Sequence, residues 1–435
     1  MREILRKENS DIVIRDKYIL GFLGLGNIGA PTYKLLQERF GDKFYVKHAL
    51  VRDLNKNRGG LPSDILTADT DMILNDPEVD IVVEFLGGVE PAWQYMNTAL
   101  KNGKSVVTAN KAALAAKWDE LNKSALSSGA GLYFEAACCA GIPLIRSLKG
   151  SLQANNISRL LGIINGTTNY ILCKMKNDGL SYEETLALAQ QIGLAEPDPS
   201  ADVSGYDAAN KLSILLSLAM RTKISVDDIF TESITDITMQ DIKYGQDMGL
   251  CLKYLAIGKR RENNIEARVH PTFIPYTHPL ASVYDSYNAV FITGDATEDL
   301  MFYGRGAGQY PTASALISDI LNAASTPKGL HDSYNDEVTA QKDIAINKDW
   351  ESEYFLRINL IDKPGMLAKV ADIFGKCDVS LAKVIQTEHG SSYAPVVFLT
   401  HAALESNIQK ATQMLKSKLN TDCEFGCLIR VERNI

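Results

Sequence analysis

The 435-residue sequence predicts an α/β protein of several domains, and three observations carry the prediction. A glycine-rich hexapeptide, GLGNIG at 24–29, stands between a short apolar run and a helical pattern. Up to about residue 136, apolar runs of strand length alternate with helical stretches of about a dozen residues, which is the sequence form of a parallel sheet. Beyond residue 350 the periodicity reads strand, helix, strand, strand, helix, strand, a ferredoxin-like βαββαβ order. The expected plan is a Rossmann-like domain over 1–136, joined by about 305–330, then an α+β domain over 137–304. A linker over 331–350 and the C-terminal module over 351–435 complete it.

Size and composition bound the rest. A chain this long exceeds what a single hydrophobic core supports. With 46% hydrophobic and 23% charged residues it has the composition of a soluble globular protein. A net charge of −8 and a pI near 5.4 argue against nucleic acid or an anionic membrane surface as partner. The seven cysteines are odd in number, include the adjacent Cys138 and Cys139, and show no metal-ligand spacing. That fits a reduced, cytoplasmic setting. MREILRKENSD lacks the apolar stretch of a leader, and the longest apolar run, around 212–220, is too short to span a bilayer.

Taken in order, YILGFLG at 18–24 reads as a strand that delivers Gly24, Gly26, Asn27, Ile28 and Gly29 to the start of a helix reaching about Phe40. Such a turn lets the backbone approach a pyrophosphate, and the helix N-terminus offers unpaired N–H groups and positive dipole. The next strand, 44–51, ends at Arg52-Asp53, with Lys56 and Arg58 following. Arg52 suits a 2′-phosphate and so NADP, while Asp53 leaves NAD open. Strand and loop at 79–88 carry Gly87 and Gly88; a helix at 91–103 follows, then strand and loop at 104–111 with Thr108 and Lys111, a helix to about 128, and a last strand at 131–136. Lys111 opens a helix, where an ammonium opposes the dipole, a local cost that hints at function.

From about 150 the texture changes. Asn165-Gly166-Thr167-Thr168-Asn169 is a small polar cluster between apolar runs, suited either to a ligand or to a turn with local hydrogen bonds. Segments 267–283 and 288–293 read as strands of an open sheet with one face against a second subunit. Glycines 304, 306 and 308 permit close approach to a cofactor, with Gly306 the cofactor-binding candidate. Residues 322–350 are polar and nonrepetitive, so a cut near 340 is expected to leave a folded core provided no buried surface crosses the boundary.

The densest stretch is AQQIGLAEPDPSADVSGYDAANK, 189–211. Pro197 and Pro199 push Glu196 and Asp198 toward extended backbone. From about Gly205 the pattern turns helical, so Asp207 and Lys211 project from one face where an apolar run begins. By itself the pair reads more simply as a surface salt bridge worth about 0.3–0.5 kcal/mol. The whole string, A-x3-G-L-A-x2-D-P-x2-D-V-x-G-x-D-x3-K, resembles the signature of homoserine dehydrogenases, and EFLGG and VVTANKA resemble that family's pattern as well.

The resemblance spans nearly all of 18–431 and implies reversible NAD(P)H-dependent reduction of L-aspartate 4-semialdehyde to L-homoserine, in threonine, methionine and isoleucine biosynthesis. It implies Lys211 as general acid and base, Lys111 as relay or electrostatic partner beside the nicotinamide, and Asp207 as the group orienting Lys211. Substrate contacts would come from Glu196, Asp202, Asp207, Lys211 and Thr167 in a middle domain that also dimerises. It further implies a monovalent cation, sodium by expectation, held by Glu135 and the carbonyls of Cys138, Ala140 and Ile142. Ala140 and Glu298 each stand where the family pattern has glycine. Asp362-Lys363-Pro364-Gly365-Met366-Leu367 resembles an ACT domain, which implies an amino-acid effector; the assembly would be a homodimer or homotetramer. Two other readings stay open. One is an NAD(P)-binding amino-acid sensor without turnover; the other is a semialdehyde-oxidising dehydrogenase, whose thiolate would have to come from Cys138 or Cys139.

Overall fold

The computed structural model describes residues 17–331, 344–386 and 393–433. They form two compact units, one within Met1–Asn155, Ser213–Val226 and Gly304–Lys342, the other within Asn156–Leu212, Asp227–Tyr303 and Asp343–Ile435.

The first unit is a six-stranded sheet of β1 (Tyr18–Leu23), β2 (Phe44–Leu50), β3 (Leu66–Thr67), β4 (Ile81–Glu84), β5 (Ser105–Thr108) and β6 (Leu132–Tyr133). The order is β3-β2-β1-β4-β5-β6 and every pairing is parallel. Strands buried on both faces explain the unbroken apolar runs: Leu20, Phe22 and Leu23 are inaccessible, as are Val82 and Val83. One core layer comes from Leu36 of the helix Gly29–Phe40 and from Leu316, Ile317 and Ile320 of the helix Gln309–Ser325. The last strand is shorter than the expected 131–136, because the chain turns at Glu135–Ala137 into a 3-10 turn. The strand order reverses between β2 and β4 around β1, which places a crevice outside the carboxyl ends of these strands.

The second unit is built on a longer sheet. Its strands are β7 (Ile157–Ile163), β8 (Phe230–Thr231), β9 (Leu250–Arg261), β10 (Asn264–Pro275), β11 (Tyr287–Gly294), β12 (Glu298–Arg305), β13 (Ala345–Ile346), β14 (Glu351–Ile361), β15 (Leu381–Gln386), β16 (Tyr393–Thr400), β17 (Ala403–Leu404) and β18 (Cys423–Val431). The main path runs β12-β11-β7-β9-β10-β18-β14-β16-β15. With the helices Met366–Lys376 and Glu405–Leu419, the C-terminal part has the expected βαββαβ order. Its strands lie β18-β14-β16-β15, an edge-to-edge extension of the middle sheet.

The separable module is therefore a correction. β18 pairs in parallel with β10 through Thr272↔Arg430 and Phe273↔Val431, and β13, inside the expected linker, also pairs with β10. Buried charges cross the same boundary. Glu432 accepts from Arg268 at 2.6 Å and from Lys259 at 2.5 Å, Arg357 reaches Asp241 at 2.5 Å, and Arg430 bridges Glu232 and Glu405. Trp350 is 2% exposed and stacks on His270. A cut near 340 would strip these partners from β10, so polarity of the connecting segment was a poor guide to independence.

Candidate functional site

At the carboxyl end of β1, Gly24 takes φ +111°, and a Cβ on Gly29 would lie 2.7 Å from the Gly24 carbonyl. Both positions thus require glycine. A Cβ on Gly26 would meet nothing, and Gly26 and Asn27 are exposed beside Ile28. No side chain caps the helix Gly29–Phe40; within its first turn the Ala30 N–H donates to the Gly26 carbonyl at 3.0 Å and Pro31 has no N–H. Arg52 is exposed just past β2. The Asp53 carboxylate accepts the Asn55 N–H at 2.8 Å and Arg58 donates to the Asp53 and Lys56 carbonyls, so these two fold the loop on itself.

The ends of β4 and β5 are joined by a residue that pattern reading missed. Glu84 is wholly buried and accepts from Thr108 Oγ1 at 2.5 Å, from the N–H groups of Leu86 and Gly87 at 2.6 and 3.2 Å, and from Asn110 Nδ2 at 3.4 Å. Burial pushes its carboxyl above the ordinary range, with those hydrogen bonds opposing. Asn110 also donates to the Gly88 carbonyl and caps the helix Lys111–Ser128 by accepting the Ala113 N–H. Thr108 is fully buried; its hydroxyl donates to Glu84 and accepts the Asn110 N–H at 2.9 Å. Gly87 and Gly88 both take positive φ in the exposed turn, and Lys111, half-buried, opens the helix beyond it.

After β6, the Glu135 carboxylate accepts the backbone N–H groups of Ile145 and Arg146 at 2.9 and 2.8 Å, capping the helix Leu144–Lys149. Asp319 accepts the Glu135 N–H at 2.8 Å and faces Arg146. Burial raises both carboxyls, Asp319 to about 7. Cys139 takes φ 52°, and the Ile142 N–H closes a turn on its carbonyl at 2.7 Å. Cys138 and Cys139 are 0% and 1% exposed, so neither thiol offers itself as a nucleophile. Gly306, just past β12, is buried. Glu298 adopts φ 55°, the left-handed region where glycine is favoured, which accounts for the glycine expected there.

In the second unit, the signature string forms a turn, a short helix Ser200–Val203 and the start of the helix Tyr206–Met220. Gly205 takes φ +91°, and a Cβ there would lie 2.3 Å from the Tyr254 hydroxyl. Lys211, 9% exposed, donates to Asp207 at 2.8 Å and to the Ile164 carbonyl at 2.9 Å. Asn165 Nδ2 donates to Asp202 at 2.7 Å and to Asp207 at 2.9 Å. Burial raises the Asp202 carboxyl; hydrogen bonding from Asn165 opposes this, repulsion from Asp207 adds to it, and Lys211 and Thr167 lower it. Thr167 also donates to the Leu194 carbonyl at 3.3 Å. Lys211, Asp207, Asp202 and Thr167 thus come together. Glu196 is exposed, tied to Gln190 through its carbonyl, and Asp198 accepts the Ser200 N–H.

A parallel sheet in the order β3-β2-β1-β4-β5-β6 with an uncapped glycine turn is the frame of a nicotinamide-dependent oxidoreductase, and the family models agree with that class. The model described as homoserine dehydrogenase, NAD binding domain, matches 24–135, and the one described as homoserine dehydrogenase matches 143–321. The Corynebacterium glutamicum homoserine dehydrogenase is 39% identical over 95% of this chain and 96% of that protein. A crystal structure of a homoserine dehydrogenase from Thiobacillus denitrificans superposes with TM-score 0.87 at 35% identity, covering 96% of this chain and 98% of that one. A hyperthermophilic archaeal homoserine dehydrogenase in complex with NADPH superposes with TM-score 0.62 at 25% identity, over 72% of this chain and 99% of that one. The chain belongs to the homoserine dehydrogenase family.

Proposed function

We propose that this chain reduces L-aspartate 4-semialdehyde to L-homoserine, reversibly, with Lys211 as the proton donor to the substrate oxygen. One observation carries the assignment: the Lys211 ammonium is buried, yet fixed by Asp207 and the Ile164 carbonyl. Such an ammonium offers charge to a developing alkoxide and a proton to complete the alcohol. Bound nicotinamide supplies the hydride. Asp207 orients Lys211, Asp202 and Thr167 shape the pocket wall, exposed Glu196 is suited to the substrate α-ammonium, and Lys111 is the relay.

The Gly24–Gly29 turn, Gly87 and Gly306 would receive the dinucleotide, with Arg52 reading the 2′-phosphate of NADP. The archaeal relative solved with NADPH supports that preference. A monovalent cation would be held by Glu135 and the carbonyls of Cys138, Ala140 and Ile142; the Glu135 oxygens also accept the Ile145 and Arg146 N–H groups, and the Ile142 carbonyl accepts the Leu144 N–H at 2.8 Å. The C-terminal module is assigned as an ACT domain for an amino-acid effector, in a homodimer or homotetramer, and the protein is assigned to the cytoplasm. The test is Lys211→Ala, expected to lower kcat by about 10²–10⁴-fold while NADPH still binds by fluorescence titration. Undiminished turnover would remove Lys211 from the mechanism.

A further inference from the structure

We infer that Asn165 is a positioning residue: its amide bridges Asp202 and Asp207, holds both as carboxylates, and so fixes the carboxylate on which Lys211 rests. This rests on the assignment of Lys211 as proton donor. The geometry leaves the amide one orientation. Its oxygen accepts the Thr168 N–H at 2.9 Å and the Thr168 hydroxyl at 3.1 Å, so the oxygen must face the helix Gly166–Asp178 that it caps. Its nitrogen must then face the carboxylates, at 2.7 Å from Asp202 Oδ1 and 2.9 Å from Asp207 Oδ2. Asp207 Oδ2 is also the oxygen that accepts Lys211, at 2.8 Å. Asn165 itself is 5% exposed, so water is a poor substitute for it.

The electrostatics follow from the neighbours. Among the described residues of this unit, groups meeting at this cluster include Asp202 from the helix Ser200–Val203, Asp207 and Lys211 from the helix Tyr206–Met220, and the neutral Asn165 and Thr167 from the N-terminus of the helix Gly166–Asp178. Asp202 and Asp207 repel one another and both are attracted to Lys211. Like charges brought together retain a proton unless a donor or cation stabilises the ionised forms. Asn165 supplies that donor to both, and a proton retained by the pair would weaken the support of Lys211.

A residue that only capped its helix would be replaceable by any good cap, which makes the test decisive. Serine caps as well as asparagine does but is too short to bridge the carboxylates, and aspartate caps while adding a further negative charge. Asn165→Ser should keep the thermal midpoint within a few degrees, Asn165→Asp should lower it through the added buried charge, and both should lose at least about tenfold in kcat. The acid limb of the kcat–pH profile for aldehyde reduction should move up by about one unit in Asn165→Ser and by at least as much in Asn165→Asp. A wild-type limb in both variants, whether or not stability falls, would overturn the inference and leave Asn165 a helix cap. Lys211→Ala, run alongside, separates the two ideas: retained turnover there sinks the proton-donor assignment, while the limb still reports on the Asp202–Asp207 pair.

Discussion

Glu432 ties the C-terminal strand to the middle sheet, and neutralising it tests whether that joint is structural. Its carboxylate accepts Arg268 at 2.6 Å, Lys259 at 2.5 Å and the Ser352 hydroxyl at 3.1 Å, and Arg268 has no exposed surface. Burial opposes ionisation, but Arg268 and Lys259 outweigh it and hold the group at about 2, against 4.5 ordinarily. That difference corresponds to about 3 kcal/mol at about 1.36 kcal/mol per unit. Breaking a buried pair by removing one partner costs about 3–5 kcal/mol by general experience, so the two routes agree. For a unit of this size each kcal/mol lowers the midpoint by about 2–4 °C, which gives roughly 6–20 °C for Glu432→Gln in scanning calorimetry at neutral pH. The sign with pH follows. The folded value lies below the unfolded one, so the stabilisation is whole above about 4.5 and is lost as pH falls toward about 2. The difference between wild type and Glu432→Gln should therefore shrink across that window. A midpoint within 2 °C of wild type at neutral pH would refute the view that this joint carries stability, given the about 2–4 °C per kcal/mol above.

Two further outcomes are expected. Arg52→Ala should raise KM for NADPH well above its effect on KM for NADH, since only the former has a 2′-phosphate; equal effects in initial-rate assays would mean this loop does not read the phosphate. Gly205→Ala should lower both stability and rate, because φ +91° strains any side chain by about 1–3 kcal/mol and the new Cβ would meet the Tyr254 hydroxyl at 2.3 Å. Adding Tyr254→Phe should recover only part of the midpoint, because it relieves the contact and leaves the backbone strain; a wild-type midpoint in Gly205→Ala itself would contradict the argument.

The parallel sheet was readable because its strands are buried on both faces and separated by helices, so period and punctuation coincide: 44–51 was expected and Phe44–Leu50 is observed. The helix expected from Gly205 begins at Tyr206, and the βαββαβ order is present beyond 350. What period could not supply was which sheet each strand joins. β9 and β10 are buried nearly along their whole length, yet they contain Lys253, Lys259, Glu266, Arg268 and His270. A strand with so many charges looks exposed to any pattern that equates charge with solvent. Arg268 and Lys259 are internal because a partner carboxylate, Glu432, arrives from 164 and 173 positions away.

The same distance problem separates the visible half of the site from the hidden half. Asp207 and Lys211 were found because both lie on one helix, four residues apart, where spacing translates directly into contact. Asn165 sits in a polar cluster whose local pattern assigns it no role, since its partners lie 37 and 42 residues on. Glu84 was passed over for a similar reason: Thr108 is 24 residues away on a neighbouring strand, and nothing local marks a carboxylate at a strand end as buried. Both hidden residues do the same kind of work. Each uses one polar side chain to join two chain segments whose termini carry the candidate chemistry, Lys111 in one unit and Lys211 in the other. A side chain that joins segments is specified by topology, so it becomes legible only once β4 is known to lie beside β5 and the turn after β7 beside the signature helix.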